Sequence, residues 1–582
     1  MRVFDIAEQQ AKINPDKPAF GYKKDNRWET ISFAAYSQMA NRLSVALIGA
    51  GVGRATKVAS VTFNKPEWNI LDMAILQTGA IHVALYPNFN FEDLAYSLEY
   101  SDVEFVFVSG KLLFDQVKRI QKQNLNIKGI YSFENCSFAP SVYDLIESTG
   151  TTADLKTLDE YKSAVKPDDI CSIYLTSGTT GKSKGAMVSH RAIVNTVKAL
   201  KDIYDINYTD RAISYAPLSV SSERSLNYFY QLNGICTYYA ESMLSIIQNM
   251  QEIKPTIFLG SPMLLEKIRT GTIEKAGELK GISKTIFKGA LDFTARFEPQ
   301  AKLPLQAQLL RKVFDKIVYA RIRGIMGGQV RFIMAGGAAI PPDVMKFFWM
   351  AGIPVYEGFG MTECHVISVN CDKRGIKFGT VGPLFRDVEV KIDDNGEVLC
   401  RSPYMFSGYY KMPEYTATCF DQDGFFRTGD KGLMVDSKYL KIIGRIKDIF
   451  KTTAGKYVAP EVIEKRLNSS LYVQQCIVAG ANEKFISVLI VPNFINIKKF
   501  ILGDGNDAMT VQQIIGDNRV IAKIQQIIDE FNIDYSESEQ IRGFKLLSEG
   551  FTIENGELTP SMKLKRHAIE QKFKSTLREI YA

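Results

Sequence analysis

Short apolar runs punctuate the first two-thirds of the chain: residues 57–63 (KVASVTF), 104–110 (EFVFVSG), 170–176 (ICSIYLT) and 354–360 (PVYEGFG). Each is only long enough for a strand, and stretches of helical period separate them. That alternation predicts α/β architecture with largely buried strands. After the third run Ile193, Val197, Leu200 and Ile203 recur on one helical face, with Ser189 standing where it can cap the start. The residues between are therefore expected to lead from a strand into a helix.

From about residue 380 the pattern changes. Residues 388–401 (VEVKIDDNGEVLCR) set an Asp-Asn-Gly turn between two alternating runs, which predicts a hairpin and a β-rich subdomain. From about 446 the chain carries its own strand pair, within QQCIVAGANEKFISVLIVP, and its own helices, including VIAKIQQIIDEF. The expected fold is multidomain α/β. Residues 1–444 form a large N-terminal domain of α/β subdomains with the β-rich part from about 380, and 445–582 form a small α+β domain of ordinary size.

Composition narrows the class. A chain of 582 residues exceeds one hydrophobic core, and 46% hydrophobic with 23% charged residues is an ordinary globular balance. The excess of 71 basic over 64 acidic side chains, +7 overall, suits anionic ligands and asks for no nucleic acid. Eight cysteines without a CxxC pair, and only four histidines, argue for a reducing cytoplasm and against a structural metal. Residues 1–20 lack a basic leader followed by an apolar stretch, and nowhere do about 18 apolar residues run together, so neither export nor a membrane span is expected. Oligomeric state is left open.

The chemistry concentrates in residues 174–190, YLTSGTTGKSKGAMVSH. Gly181-Lys182-Ser183 imitates the end of a Walker P-loop, but Thr176 stands where the first P-loop glycine belongs, so that reading fails. What remains is a run of hydroxyls and glycines, Thr176, Ser177, Gly178, Thr179, Thr180 and Gly181, closed by Lys182 and Lys184. Glycines let the backbone approach an anion, hydroxyls and N–H groups donate to phosphate oxygens, and lysine adds mobile charge. Composition alone also fits a flexible surface loop; its place after a buried strand argues for phosphate.

YLTSGTTGKSKG resembles the phosphate-loop signature of the adenylate-forming superfamily, which includes acyl-CoA synthetases, peptide-synthetase adenylation domains and luciferases. The superfamily's other motifs follow in order: RFIMAGGAAIPPDV (331–344) with Gly337 and Ala338, VYEGFGMTE (355–363), FFRTGD (425–430), GRIKDIFKTTAGKYVAPEVIE (444–464) and ELTPSMKLKR (557–566). The last, with FNKPEWNILDMAILQTGAIHVALYP (63–87), is similar to long-chain fatty acyl-CoA synthetases.

The resemblance implies ATP, Mg²⁺ and coenzyme A acting on a fatty acid through an acyl-adenylate. Glu363, with Thr176, would hold the metal, and Thr362 would donate to the α-phosphate. Glu357, Gly358 and Phe359 would form the adenine site, with Phe359 in place of the usual tyrosine. Asp430 would accept from both ribose hydroxyls, and Arg445 would reach the nucleotide. Lys447 would be the pivot of a mobile C-terminal domain hinged at 445–447, and Gly455 would line the route of the CoA thiol. Lys563, with Lys184, would stabilise the charge on phosphorus, although a run of Lys563, Lys565 and Arg566 also fits a solvated face.

The pattern breaks where long-chain synthetases carry a histidine and an arginine, positions held here by Val220 and Met263. A different acid, a carrier-protein thiol, or a paralogue that binds without turnover are therefore alternatives. The segment 284–323 interleaves Lys284, Lys288, Arg296, Lys302, Arg311, Lys312, Lys316, Arg321 and Arg323 with Phe287, Phe293, Phe297, Phe314 and Tyr319. It predicts either docking on an anionic membrane surface or an amphipathic helix packed on the protein. With no N-terminal anchor of the kind many eukaryotic relatives carry, the expected setting is a bacterial cytoplasm, peripheral to the inner membrane face.

Overall fold

All four apolar runs form strands, Lys57–Val61, Phe105–Val108, Ile170–Thr176 and Val355–Met361, and the first three are almost wholly buried. They belong to two parallel-cored sheets in a computed structural model. It describes residues 1–582 apart from 124–125, 150–151, 177–181, 278, 299–303, 454–456, 503–508, 534, 536, 538 and 560–561. One sheet has seven strands in the order Gly408–Tyr409, Lys184–Ser189, Ile170–Thr176, Ile81–Leu85, Lys57–Val61, Phe105–Val108, Gly129–Ser132. The other has eight, with Phe332–Ala335 between Ile257–Gly260 and Val355–Met361, and His365–Val369 at one edge. Helices cover their faces, as buried parallel sheets require.

The residues after Thr176 do not lead directly into a helix. Ile170–Thr176 pairs antiparallel with Lys184–Ser189, in the register Ile170 with Ser189 and Thr176 with Lys184. An antiparallel strand thus stands between Thr176 and the helix His190–Leu200, which starts directly after Ser189. Lys184–Ser189 escaped the sequence pattern because it is short and buries only small or single apolar side chains, Ala186 and Val188. The helix itself is as expected: Ser189 Oγ accepts from Ala192 N at 3.2 Å, and Ile193, Val197, Leu200 and Ile203 are buried. That helix begins beside the Ile170–Ser189 end of the strand pair, remote from Thr176 and Lys184, so its positive end is not placed against Thr176.

The β-rich part is a five-stranded antiparallel sheet from Gly382–Pro383 to Tyr439–Arg445. The expected hairpin joins Glu389–Ile392 to Glu397–Arg401, with Gly396 at φ +80° where a side chain would be strained. Beyond it a three-stranded sheet pairs Val473–Ala479 with Ile486–Pro492 and adds Ile541–Leu546, a parallel third strand the pattern did not reveal. Its core, including Val458, Ile463, Val478, Val488, Ile524 and Ile528, draws only on residues from Phe450 onward.

A charged cluster lies in the N-terminal core. Asp72 Oδ1 and His82 Nδ1 are 2.6 Å apart, His82 Nε2 is 2.8 Å from Ser60 Oγ, and Tyr228 donates to Asp72 at 2.6 Å. The Ser60–His82–Asp72 string has the connectivity of a hydrolase triad. Every member is buried, and Arg224 ion-pairs with the aspartate, which makes it a structural clasp. It ties the helix Ser221–Leu232 to the helix Pro66–Gln77 and the strand Ile81–Leu85.

The aromatic residues of 284–323 point inward. Phe297, Phe314 and Tyr319 are buried, Phe314 meets Phe293 at 5.8 Å between ring centroids, and Tyr319 donates to the Ala290 carbonyl at 3.3 Å. Those rings staple the helix Leu305–Phe314 to Ile282–Ala295. Lys302 lies outside the described residues.

Candidate functional site

Three sheets converge where the candidate residues gather. Thr176 ends its strand, residues 336–341 follow the carboxyl end of Phe332–Ala335, and Val355–Met361 lies alongside. Crevices outside the carboxyl ends of parallel strands are where α/β sheets bind ligands. The antiparallel sheet supplies Asp430 from Phe426–Val435 and Arg445 from Tyr439–Arg445.

Of the phosphate-loop candidates, Ser177, Gly178, Thr179, Thr180 and Gly181 lie outside the described residues, as does Gly455. Thr176 Oγ1 donates to the Lys184 carbonyl at 3.2 Å, closing the base of the hairpin. The Lys184 ammonium rests 3.8 Å from the ring centroid of Tyr415 and 5.7 Å from that of Tyr409; Lys182 lies 4.7 Å from that of Tyr96. Such cation–π contacts hold a lysine in place without neutralising it.

Tyr409 links this loop to Glu363. Gly408–Tyr409 pairs with Lys184–Ser189, and the Tyr409 phenol donates to Glu363 Oε1 at 2.7 Å. Burial, then the adjacent Glu363 charge, pushes the phenol's pKa far up, so it stays a donor. Thr362 Oγ1 is 3.0 Å from Ser221 Oγ at the start of the helix Ser221–Leu232. Val220 occupies the N-cap of that helix without a side-chain hydrogen bond, and Met263 is 65% exposed at the start of Pro262–Gly277.

Glu357 is buried. Its Oε1 accepts from Ile340 N at 2.9 Å, and burial pushes its carboxyl up to about 7. It braces the turn that presents Gly337, at φ +84°, and half-buried Ala338. Gly358 and half-buried Phe359 continue the strand, where Phe359 pairs with Ser368 and a bulge follows before Gly360.

Asp430 and Arg445 are cross-strand partners, with Arg445 Nε 3.0 Å from Asp430 Oδ1. The other oxygen, Oδ2, is buried without a hydrogen-bond partner among the described residues. Burial pushes the Asp430 carboxyl up to about 6, Arg445 opposes the shift, Glu461 adds to it, and Lys563 opposes it. The charge of Lys563, from the far end of the chain, thus acts on this group without a direct ion pair. Its backbone is held by Thr559, whose Oγ1 accepts from Lys563 N at 3.0 Å. Lys563 is exposed as a residue, while neighbouring protein partly desolvates its ammonium; that desolvation, then Arg445, lowers its pKa. Lys447 is exposed in the turn after Arg445.

The structure thus gathers Glu363, Asp430, Arg445 and Lys563 and brings Lys184 to the edge of that group through Tyr409. Lys447 stands exposed beyond Arg445, and Glu357 is buried against the 336–341 turn. Tyr409, Tyr415, Ser221 and Glu461 are neighbours that sequence reasoning missed, because no local pattern marks them. A nucleotide fits: the orphaned Asp430 Oδ2 is an acceptor awaiting a hydroxyl. Among the described residues no cluster of three or more His, Cys, Asp or Glu side chains is built to hold a metal. Glu363 would be a lone protein carboxylate, which suits Mg²⁺ shared with phosphates.

This fold and cleft are those of a nucleotide-dependent two-part enzyme, and the chain belongs to the AMP-binding enzyme family. That family matches residues 7–410, and the AMP-binding enzyme C-terminal domain matches 447–582. The chain is 28% identical over 582 residues to a long-chain-fatty-acid–CoA ligase of Mycobacterium tuberculosis, covering 98% of this chain and 96% of that protein. It is also 28% identical over 613 residues to human long-chain-fatty-acid–CoA ligase 1, covering 100% of this chain and 86% of that protein. Among solved structures, the adenylation domain of a Mycobacterium chelonae carboxylate reductase superposes with a TM-score of 0.76 at 20% identity, covering 100% of this chain and 91% of that one. No helix among the described residues is long and apolar enough to cross a membrane.

Proposed function

We propose that this protein joins a long-chain fatty acid to coenzyme A at the expense of ATP, through an acyl-adenylate, releasing pyrophosphate and then AMP. The observation that carries the reading is the meeting of Asp430, Arg445 and Lys563 in one cleft, in a chain similar along its length to ligases of that name. Asp430 accepts from the ribose, Phe359 lies against the base, and Thr362 with the hairpin donors holds phosphate oxygens. The acid needs no general base, because a carboxylate is ionised at neutral pH. Its attack on the α-phosphorus brings two oxyanions together, and Lys563 and Lys184 offset that repulsion by position and field. Glu363, with Thr176, would hold Mg²⁺, which when bound would supply positive charge to offset that of the departing pyrophosphate.

For the second step the C-terminal domain, bounded at 445–447, turns about exposed Lys447. Lys563 then withdraws and the segment around Gly455 faces the thiol. Eight free thiols favour a reducing compartment such as a bacterial cytoplasm. A second reading, binding without turnover, rests on Val220 and Met263. The test is pyrophosphate release with ATP and Mg²⁺ across saturated acids from acetate to stearate, with and without CoA. Release should depend on long acids and fall about 100 to 1,000-fold in Lys563→Ala. ATP binding without release for any acid would favour the second reading.

A further inference from the structure

The helix Leu305–Phe314 and the turns that follow it present an apolar stripe that no other part of the described protein covers. Leu305, Leu309, Val313 and Ile317, spaced four residues apart, are 79%, 64%, 49% and 37% exposed, and Leu310 is 45% exposed beside them. The opposite side of the same helix is seated through Phe314 on Phe293. A surface helix normally turns its apolar stripe to the core; this one has a second stripe facing outward. Contiguous exposed aliphatics of this kind mark an interaction site.

Charge says what covers it. Lys312 and Lys316 follow Leu309 and Val313 by three residues, adjacent positions on a helix surface. Residues 280–298 and 304–323 together carry nine basic against three acidic side chains, an excess of six out of the whole chain's +7. Two of those acids are already paired, Asp315 with Arg323 at 2.7 Å and Glu298 with Lys346 at 2.8 Å. A basic rim around outward leucines matches a sheet of phosphate headgroups over acyl chains. A second copy of this chain would bring the same positive rim to face itself.

We infer that this helix lies flat in the surface of an anionic bilayer, with Leu305, Leu309, Val313 and Ile317 among the acyl chains and Lys312 and Lys316 among the headgroups. The membrane-facing side chains are the aliphatics; the aromatics hold the helix to the protein. The surface stands independently of the proposed reaction, to which it would give access to water-insoluble acids.

The test is cosedimentation of the full chain with vesicles of phosphatidylcholine alone or mixed with phosphatidylglycerol, at low and high salt. The protein should pellet with the anionic vesicles and be released by salt. Leu309→Ser with Val313→Ser should weaken binding at least tenfold at an unchanged melting temperature. Lys312→Glu with Lys316→Glu should weaken it on anionic vesicles by about fivefold or more per residue. Equal pelleting of the serine variant, no pelleting of the parent chain, or a dimer in gel filtration that the serine variant disperses would each overturn the inference. Vesicle binding by a protein that releases no pyrophosphate with any acid would uphold the surface while refuting the reaction.

Discussion

Asp430 illustrates how one side chain is kept ready for a ligand at some cost to the protein. Its carboxyl is pushed up to about 6 by burial, only partly offset by Arg445. The unfolded chain ionises near the ordinary aspartate value of about 3.9, so between there and about 6 the native state holds the proton more tightly. Stability from this group is full below that window and falls as pH rises through it. Nucleotide affinity moves the other way, since the ionised form has the stronger pair of acceptors. AMP binding should weaken as pH drops below about 6, and Asp430→Asn should bind weakly with no such slope. Titration calorimetry between pH 5 and 8 decides it; an unchanged slope in the variant would detach the ribose role from Asp430.

The glycines of the two central motifs differ in what they forbid. At Gly360 an added Cβ would stand 1.8 Å from the His365 carbonyl oxygen, across the bulged pairing of Val355–Met361 with His365–Val369. At Gly337 the φ of +84° is unfavourable for other residues, but no atom of the described residues lies within 4 Å of an added Cβ. Gly360→Ala must therefore shift the strand that carries Phe359, for about 1–3 kcal/mol of overpacking. Gly337→Ala meets only the backbone preference, about 1 kcal/mol. Denaturant melts should rank the pair in that order, and equal costs would mean the strand pairing yields freely.

The two parts of the molecule are tied by exposed charges as well as by the chain. Asp343, at the start of the helix Pro342–Met350, meets Arg269 at 2.9 Å and Arg466 of the C-terminal helix Pro460–Asn468 at 3.4 Å. Exposed pairs of this kind contribute at most about 1 kcal/mol, enough to bias two arrangements of similar energy and too little to lock one. Arg466→Ala should slow single-turnover pyrophosphate release by up to about fivefold and leave thioester formation from preformed adenylate unaffected. Equal loss in both steps would mean that the contact supports the fold and not one arrangement.

The four strands marked by apolar runs, the Ser189 cap and the 393–396 turn were legible in the sequence, because period, capping and turn chemistry are written in neighbouring residues; the site motifs were legible by resemblance. The hairpin after Thr176 was not, since Lys184–Ser189 is too short for its alternation to stand out. Tyr409 could not be matched with Glu363, because residues far apart in sequence meet only when separate elements pack. The same limit left two readings of 284–323 open. Composition supplied both the aromatics and the leucines, but which set faced inward depended on the helix Ile282–Ala295 offering Phe293 to Phe314. A chain encodes its local periods directly, whereas the pairing of faces is settled by the burial that the whole fold achieves at once.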